Sequence, residues 1–394
     1  MDIDKLYGVI SAIFSRDNER TDVKDIEIQL EPLCGLSNTI YLVKIFEKKS
    51  KSLVKEFVYK IFGDNNEFMD RDLEERIMDN LSSKGFGPKI LVSDQKTYRS
   101  EEYIKCADEL HVNELMEEQI LHQIIRILIS YSLFASVHSY NIFSDQFSTD
   151  YNLIVNDGKN LTGQIKKNIY DMCTKSMFQK AKKNFQKFSN KFKERFDKIV
   201  DKEIFSSFKK IKFYLKNYKD VFNKVFPKEA LMVLNHNDVH RLNILAFDKN
   251  KLMLIDHEYA AMNLIGIDII NYMIESNFDY KLKKHPFFEY SGNLDYEKMF
   301  EVYLEYLDAF EESYKGTKTI EDGAEKALFN QCRTKQYFLQ LICIISLFWL
   351  LYSIIYLDFD SFEAKNFFDF FLHGIKRLQI FENTYDMIEC KMFI

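Results

Sequence analysis

Turn-forming residues are scarce in this chain, with 12 glycines and 4 prolines among 394 residues. An average sequence would carry about three times as many. That excludes a multi-stranded sandwich, a propeller and a disordered linker protein, and points to a soluble, helix-rich globular chain. Its 36 phenylalanines, 23 tyrosines and single tryptophan are ample material for a large core. At about 150 residues per domain the length corresponds to two or three domains, or to two lobes.

Charge and cysteine content remove further classes. Lys and Arg number 54 against 60 Asp and Glu, a formal net charge of −6. A generally basic nucleic-acid binder is excluded, and no nucleic-acid partner is expected. The cysteines (Cys34, Cys106, Cys173, Cys332, Cys343 and Cys390) form no CxxC pair, so neither a zinc site nor a disulfide framework follows. The opening stretch MDIDKLYGVISAIFSRDNER has acids where a signal peptide needs a basic region, which makes the cytoplasm the expected compartment. Residues 338–357 carry no formal charge over the length of a membrane span. They also contain Gln340, Ser346, Ser353 and two tyrosines and lack a flanking basic cluster, so a helix buried on all sides is expected, not a span.

Strand-like alternation occupies 26–33 and 39–46 around the turn CGLSN, then 56–62, 89–92 and 98–104. Between them 71–84 has helical apolar spacing through Leu73, Ile77, Met78 and Leu81, and Gly85 to Pro88 stops it. The first hundred residues therefore read as a mixed sheet with one helix, followed by a polar connector at 105–108. Beyond it, 114–139 is one long apolar-periodic stretch, and 165–226 is rich in Lys and Phe at helical spacing. The latter reads as amphipathic helices with a solvated lysine face. After a β-like centre near 232–260, helices resume. The fold class expected is α+β, a small β-rich N-lobe and a large helical C-lobe with the boundary near residue 106.

The stretch LNHNDVHRLNILAFDKNKLMLIDHEYA, 234–260, carries the chemistry. Asp238 is followed five places on by Asn243, and Asp256 ends the apolar run after it. D-x-x-x-x-N, a short hairpin and an Asp form the catalytic arrangement of protein-kinase-like phosphotransferases. Transfer from ATP needs one carboxylate beside the acceptor hydroxyl and oxygen ligands that hold Mg²⁺ on the phosphates. Asp238 fits the first role; Asn243 and Asp256 fit the second. Upstream, Lys60 on a strand and Glu74 on the next helix match the Lys–Glu pair that positions ATP phosphates.

The motifs running from about residue 31 to 375 resemble those of the choline/ethanolamine kinases. LCGLSN resembles the family's Gly-Gly-Leu-Ser-Asn loop, with Cys34 in place of a glycine, and VYKIFG its next strand, with Lys60 where Arg is usual. RDLEERIMDNLSSKGFGPKIL, SEEYIK, LFASVHS, HNDVHRLNIL, LIDHEYA, NLIGIDIINYMIESNFDY and LFWLLYSII resemble further family segments. The resemblance implies a protein-kinase-like two-lobe fold, with nucleotide binding in 1–106 and the catalytic loop, metal site and amine pocket in 107–394. It makes Asp238 the base for the substrate hydroxyl. Asp256 and Glu258 become Mg²⁺ ligands, with Asn243 and His240 assisting. Ser37, Asn38, Lys60 and Lys84 would face the ATP phosphates, and Glu102, Tyr103 and Ile104 the adenine.

A trimethylammonium donates no strong hydrogen bond, so aromatic faces and carboxylate charge must hold it. By motif position Trp349, Tyr352, Tyr259, Glu275 and Tyr280 would form that pocket. The last segment, FDSFEAKNFFDFF at 359–371, departs from the family pattern: it has Phe367 where Arg is usual, and Phe362 stands in as the remaining wall. The implied activity is phosphorylation of choline, feeding phospholipid synthesis. The alternatives are ethanolamine kinase, an aminoglycoside or other small-alcohol phosphotransferase of the same fold, and a catalytically dead nucleotide-binding scaffold. Oligomeric state is not fixed by the sequence; a homodimer is among the arrangements it allows.

Overall fold

The computed structural model describes residues 3–16, 25–33, 38–63, 71–105 except 84 and 86, 110–133, 138–141, 146–148, 169–194, 202–247, 251–292, 294–315, 324–365 and 368–389. The chain divides into two compact units: Met1–Glu109 with Asn243–Tyr259, and Leu110–Leu242 with Ala260–Ile394.

The first unit is a five-stranded antiparallel sheet of order β1-β2-β3-β5-β4. Its strands are β1 (Ile26–Leu33), β2 (Asn38–Glu47), β3 (Leu53–Phe62), β4 (Ile90–Ser93) and β5 (Tyr98–Glu102). Helix α1 (Ile3–Arg16) precedes it, and α2 (Arg71–Ser83) lies between β3 and β4. The sequence reading expected one helix here and overlooked α1. Leu6, Val9, Ile10, Ile13 and Phe14 recur at helical spacing and are buried with Ile26, Val43, Ile45, Phe57 and Tyr59 in one core.

In the second unit α3 (Glu118–Ser132) stops well short of the expected residue 139, because β6 (His138–Asn141) pairs with both β7 (Gln146–Ser148) and β8 (Glu229–Asn235). Long-range ladder bonds override the local helical periodicity there. A short turn, α4 (Ile169–Asp171), leads into α5 (Met177–Glu194) and α6 (Lys202–Val225). Strands β9 (Ile244–Phe247) and β10 (Lys251–Leu254) form a hairpin that belongs to the first unit. The chain then re-enters the second unit through β11 (Ala261–Leu264), paired with β8, and α7 (Ile267–Glu275). Next come the small pair β12 (Phe278–Asp279) and β13 (Glu289–Tyr290), then α8 (Tyr296–Lys315), α9 (Ala324–Cys332), α10 (Lys335–Ile355), α11 (Phe359–Ala364) and α12 (Phe370–Glu389).

Helix α10 is the apolar run flagged in the sequence. It is long and apolar enough to cross a membrane, and its residues are buried inside the helical unit, packed on α5, α6, α7 and α12. Gly374 lets α12 approach closely: a Cβ there would lie 3.2 Å from that of Ser353. Gly266, at φ +90°, starts α7 in a left-handed conformation that a side chain would clash in, 2.4 Å from the Tyr303 ring.

Candidate active site

Strand register assembles a charged cluster in the first unit. Across β3 and β5, Lys60 stands opposite Arg99. The β9–β10 hairpin places Asn243 and Asp256 at one end, where the Ile255 N–H donates to the Asn243 carbonyl at 3.0 Å. Asp256 itself is left-handed, φ +62°, and turns the chain into the single 3₁₀ turn His257–Tyr259 that carries Glu258.

Lys60 pairs with Asp256 and its ammonium lies 3.9 Å from Glu258 Oε2. The same Glu258 oxygen accepts from Asn38 Nδ2 at 2.9 Å and from Arg71 at 3.2 Å. Glu74 is not paired with Lys60, contrary to expectation; its carboxylate is gripped by Arg71 and by Arg99, the latter at 2.6 Å. Arg99 also donates to Glu101 at 2.7 Å, and Arg71 lies 4.1 Å over the Phe62 ring. Arg71 and Arg99 each give one charged N–H to a different Glu74 oxygen, so both oxygens are paired where one lysine would hold a single point, which explains the exchange. Burial disfavours the Lys60 ammonium, yet Asp256 and Glu258 carry it above its ordinary range. Burial and then the neighbouring Asp256 push Glu258 up, against the pull of Lys60 and Arg71.

Three cations here face four carboxylates (Glu74, Glu101, Asp256 and Glu258), so the cluster holds an excess negative charge. The Lys60 ammonium also shows that a single cation can reach both Asp256 and Glu258. Both facts fit Mg²⁺, which takes hard oxygen ligands and typically uses one or two carboxylates with waters and phosphates. Among the described residues no group of three His, Cys, Asp or Glu side chains could hold a metal alone. A divalent ion arriving with nucleotide phosphates suits this donor set.

In the second unit a buried carboxylate pins the loop that carries Asp238. After β8, the Asp268 carboxylate accepts the His236 N–H at 2.7 Å and the Asn237 N–H at 2.8 Å. Burial pushes Asp268 up to about 7, against those two donors. Asn237 is left-handed, φ +65°, and its Oδ1 accepts from Asn263 at 2.7 Å. The loop so pinned presents Asp238. His240 Nδ1 accepts the Leu242 N–H at 3.3 Å, which leaves the proton of the neutral ring on Nε2, 3.6 Å from Asp238 Oδ1. His240 is thus grouped with Asp238 and, edge-on at 5.9 Å between ring centres, with Tyr280.

Trp349 reaches the same loop indirectly. Its Nε1 donates to Asn271 Oδ1 at 2.8 Å, and Asn271 Nδ2 donates to the Val239 carbonyl at 3.3 Å. Tyr352 stands edge-on to Trp349 at 5.2 Å. Glu275 accepts from Tyr280 at 2.7 Å and pairs with Arg377, which also donates to the Tyr280 oxygen at 2.9 Å. The Arg377 guanidinium lies 4.0 Å over Phe278 and 5.8 Å from the Trp349 ring centre. Arg377 further donates to His373 Nε2 at 3.2 Å, and the other ring nitrogen lies 2.7 Å from Ser353 Oγ. Burial, then the Arg377 charge, keeps His373 well below the ordinary imidazole range and therefore neutral.

Several expectations need correction. Phe362 is not beside Trp349 or Tyr280; it packs with Phe188, Phe359 and Phe371 in an aromatic core shared by α5, α11 and α12. The neighbours of Tyr280 are instead Phe368, His373 and Arg377, so a guanidinium stands there from a position ten residues after Phe367. The Glu102 N–H donates to the Lys89 carbonyl at 2.8 Å, and Tyr103 and Ile104 follow past the end of β5. Tyr259, with a buried ring, belongs to the first unit. Ser37, Lys84 and Phe367 lie outside the described residues. Arg71, Arg99, Asn271, His373 and Arg377 were overlooked. Arg377 had a signal: it falls at helical spacing from Gly374 and Phe381, a charge on an apolar face.

Fold and catalytic loop define the protein-kinase-like class. A family model for choline/ethanolamine kinase matches residues 31–382, and the chain belongs to that family. A probable choline kinase of Arabidopsis thaliana is 23% identical over 391 residues, 96% of this chain and 95% of the relative. Choline kinase alpha of Mus musculus is 32% identical over 103 residues, and that alignment spans only 24% of this chain and 23% of the relative. The crystal structure of a choline kinase from Cryptosporidium parvum superposes with a TM-score of 0.61 at 19% identity, over 100% of this chain and 98% of that one.

Proposed function

We propose that the protein transfers the γ-phosphoryl group of Mg²⁺-ATP to the hydroxyl of choline, in the cytoplasm. Asp238 accepts the hydroxyl proton as the oxygen attacks. The loop geometry holds that carboxylate still through Asp268 and through the Trp349–Asn271 link, so little reorganisation is needed. Asp256, Glu258 and Asn243 hold the metal, which when bound neutralises phosphate charge. Asn38, Lys60, Ser37 and Lys84 are assigned to the phosphates, and Glu102, Tyr103 and Ile104 to the adenine.

The observation that carries choline over ethanolamine is the state of Glu275. Its charge is already balanced by Arg377, and each of its oxygens accepts one hydrogen bond, from Arg377 and from Tyr280. A primary ammonium would compete with those two donors for the carboxylate, whereas a trimethylammonium needs only apolar and aromatic faces such as Trp349, Tyr352 and Tyr280. Ethanolamine kinase, with the same catalytic residues, is the second reading. ADP release measured with Mg²⁺-ATP and choline, ethanolamine, an aminoglycoside and an unrelated alcohol tests all of these. Choline should give the highest kcat/KM. A higher value for ethanolamine would transfer the assignment, and no amine-dependent release would overturn it.

A further inference from the structure

Helices α5 and α6 carry thirteen lysines and three acids in a chain whose net charge is −6, so the rest of the protein is acidic. The two helices pack on each other through stacked rings, Phe178 on Tyr218 and Phe192 on Phe208. Their apolar rows are buried, and the lysines take the opposite, exposed sides. Lys182, Lys183, Lys187, Lys212, Lys216 and Lys224 form no ion pair among the described residues. Lys219 lies 5.6 Å over the α5 ring of Phe178, so the cationic faces meet along the seam between the helices. At the middle of the exposed side of α6, opposite Ile211 and Leu215, stands Phe213, 60% exposed and the most exposed large apolar side chain among the described residues.

We infer that this face binds an anionic lipid bilayer reversibly, with Phe213 entering the interface. Unpaired lysines are attracted to anionic lipid at about fivefold in affinity per residue. The two helices are about 27 and 36 Å long by their residue counts, a broad face suited to a bilayer surface. An exposed aromatic among lysines is the composition of an interfacial helix. Neither helix contains an arginine, the side chain that reads phosphate and base edges by forked bonds, so the composition favours lipid over nucleic acid. The acidic remainder of the chain would orient this face toward the membrane.

Co-sedimentation of the full chain with vesicles of 70% phosphatidylcholine and 30% phosphatidylserine tests the inference, with pure phosphatidylcholine vesicles and homopolymer RNA as the other arms. Binding should be confined to the anionic vesicles and should weaken between 50 and 300 mM salt. Lys183→Glu combined with Lys187→Glu and Lys216→Glu should weaken it at least about 100-fold, while thermal stability and soluble turnover stay unchanged. Phe213→Ser should reduce the binding that persists at high salt. No sedimentation at 50 mM salt, equal binding by the triple variant, or capture by RNA in preference to vesicles would overturn it.

Discussion

Replacing Trp349 by Phe separates two uses of one side chain. The phenyl ring keeps an aromatic face for a cation and removes the N–H that Asn271 accepts at 2.8 Å. Asn271 is fully buried, so its Oδ1 is left without a donor, at a cost of about 1–3 kcal/mol. For a chain of this size that lowers Tm by about 1–4 °C. The same loss loosens Asn271 against the Val239 carbonyl, one residue from Asp238. Small displacements of a catalytic group are costly, and kcat should drop about tenfold. KM for choline should change less than about threefold, because the ring face remains. Steady-state ADP release and a thermal melt read both effects. Asn271→Ala should reproduce the loss in kcat, and the double variant should be no worse than either single one, since both act through one contact. A tenfold rise in KM with kcat intact would refute the argument and make the indole face, not its N–H, the working part.

Asp238→Asn should cut kcat by about 10²–10⁴-fold while leaving ATP affinity unchanged by isothermal titration, and retention of half the wild-type turnover would remove Asp238 from the chemistry. Arg99→Met strands Glu74 and Glu101 in the interior and should destabilise the protein by about 3–5 kcal/mol in urea unfolding; a change under 1 kcal/mol would mean that Arg71 alone compensates Glu74. His373 is held neutral in the fold, whereas in the unfolded chain it binds a proton below about pH 6.5. Unfolding then takes up a proton, so stability is present above that pH and lost as pH falls, by up to about 1.4 kcal/mol per unit. His373→Gln should remove that part of the loss between pH 7.5 and 5.5, and identical slopes for wild type and variant would refute it.

Residues fixed by local spacing were legible in the sequence. The hairpin after D-x-x-x-x-N and the turn after it are short-range patterns, and the structure pairs 244–247 with 251–254 and turns at His257–Tyr259. What failed were inferences that needed a partner from elsewhere in the chain. The strand lysine and next-helix glutamate pattern pairs Glu74 with Lys60, yet Arg99 stands across the strands from Lys60 and Arg71 one helical turn from Glu74. Phe362 was chosen from a segment whose departure from the family pattern was visible, and the guanidinium that completes the cluster sits on the next helix. Periodicity extends helix α3 too far because it cannot report that residues 138–141 find ladder partners at 229–232, about ninety residues later. The link from Trp349 through Asn271 to the catalytic loop joins three distant elements and has no signature within any one of them.

The first unit borrows its last hairpin from late in the chain, and synthesis imposes an order on that loan. When residue 109 has been made, Lys60, Arg71, Arg99, Glu74 and Glu101 all exist, but Asp256 and Glu258 do not. The interior destined for them is then one charge too positive instead of one too negative. At about 5–20 residues per second the missing carboxylates follow roughly 7–30 s later. A ribosome-bound chain ending near residue 109 should therefore be protease-sensitive across β3 and α2, and a separately expressed first segment should gain order only when a peptide spanning 243–259 is added in trans.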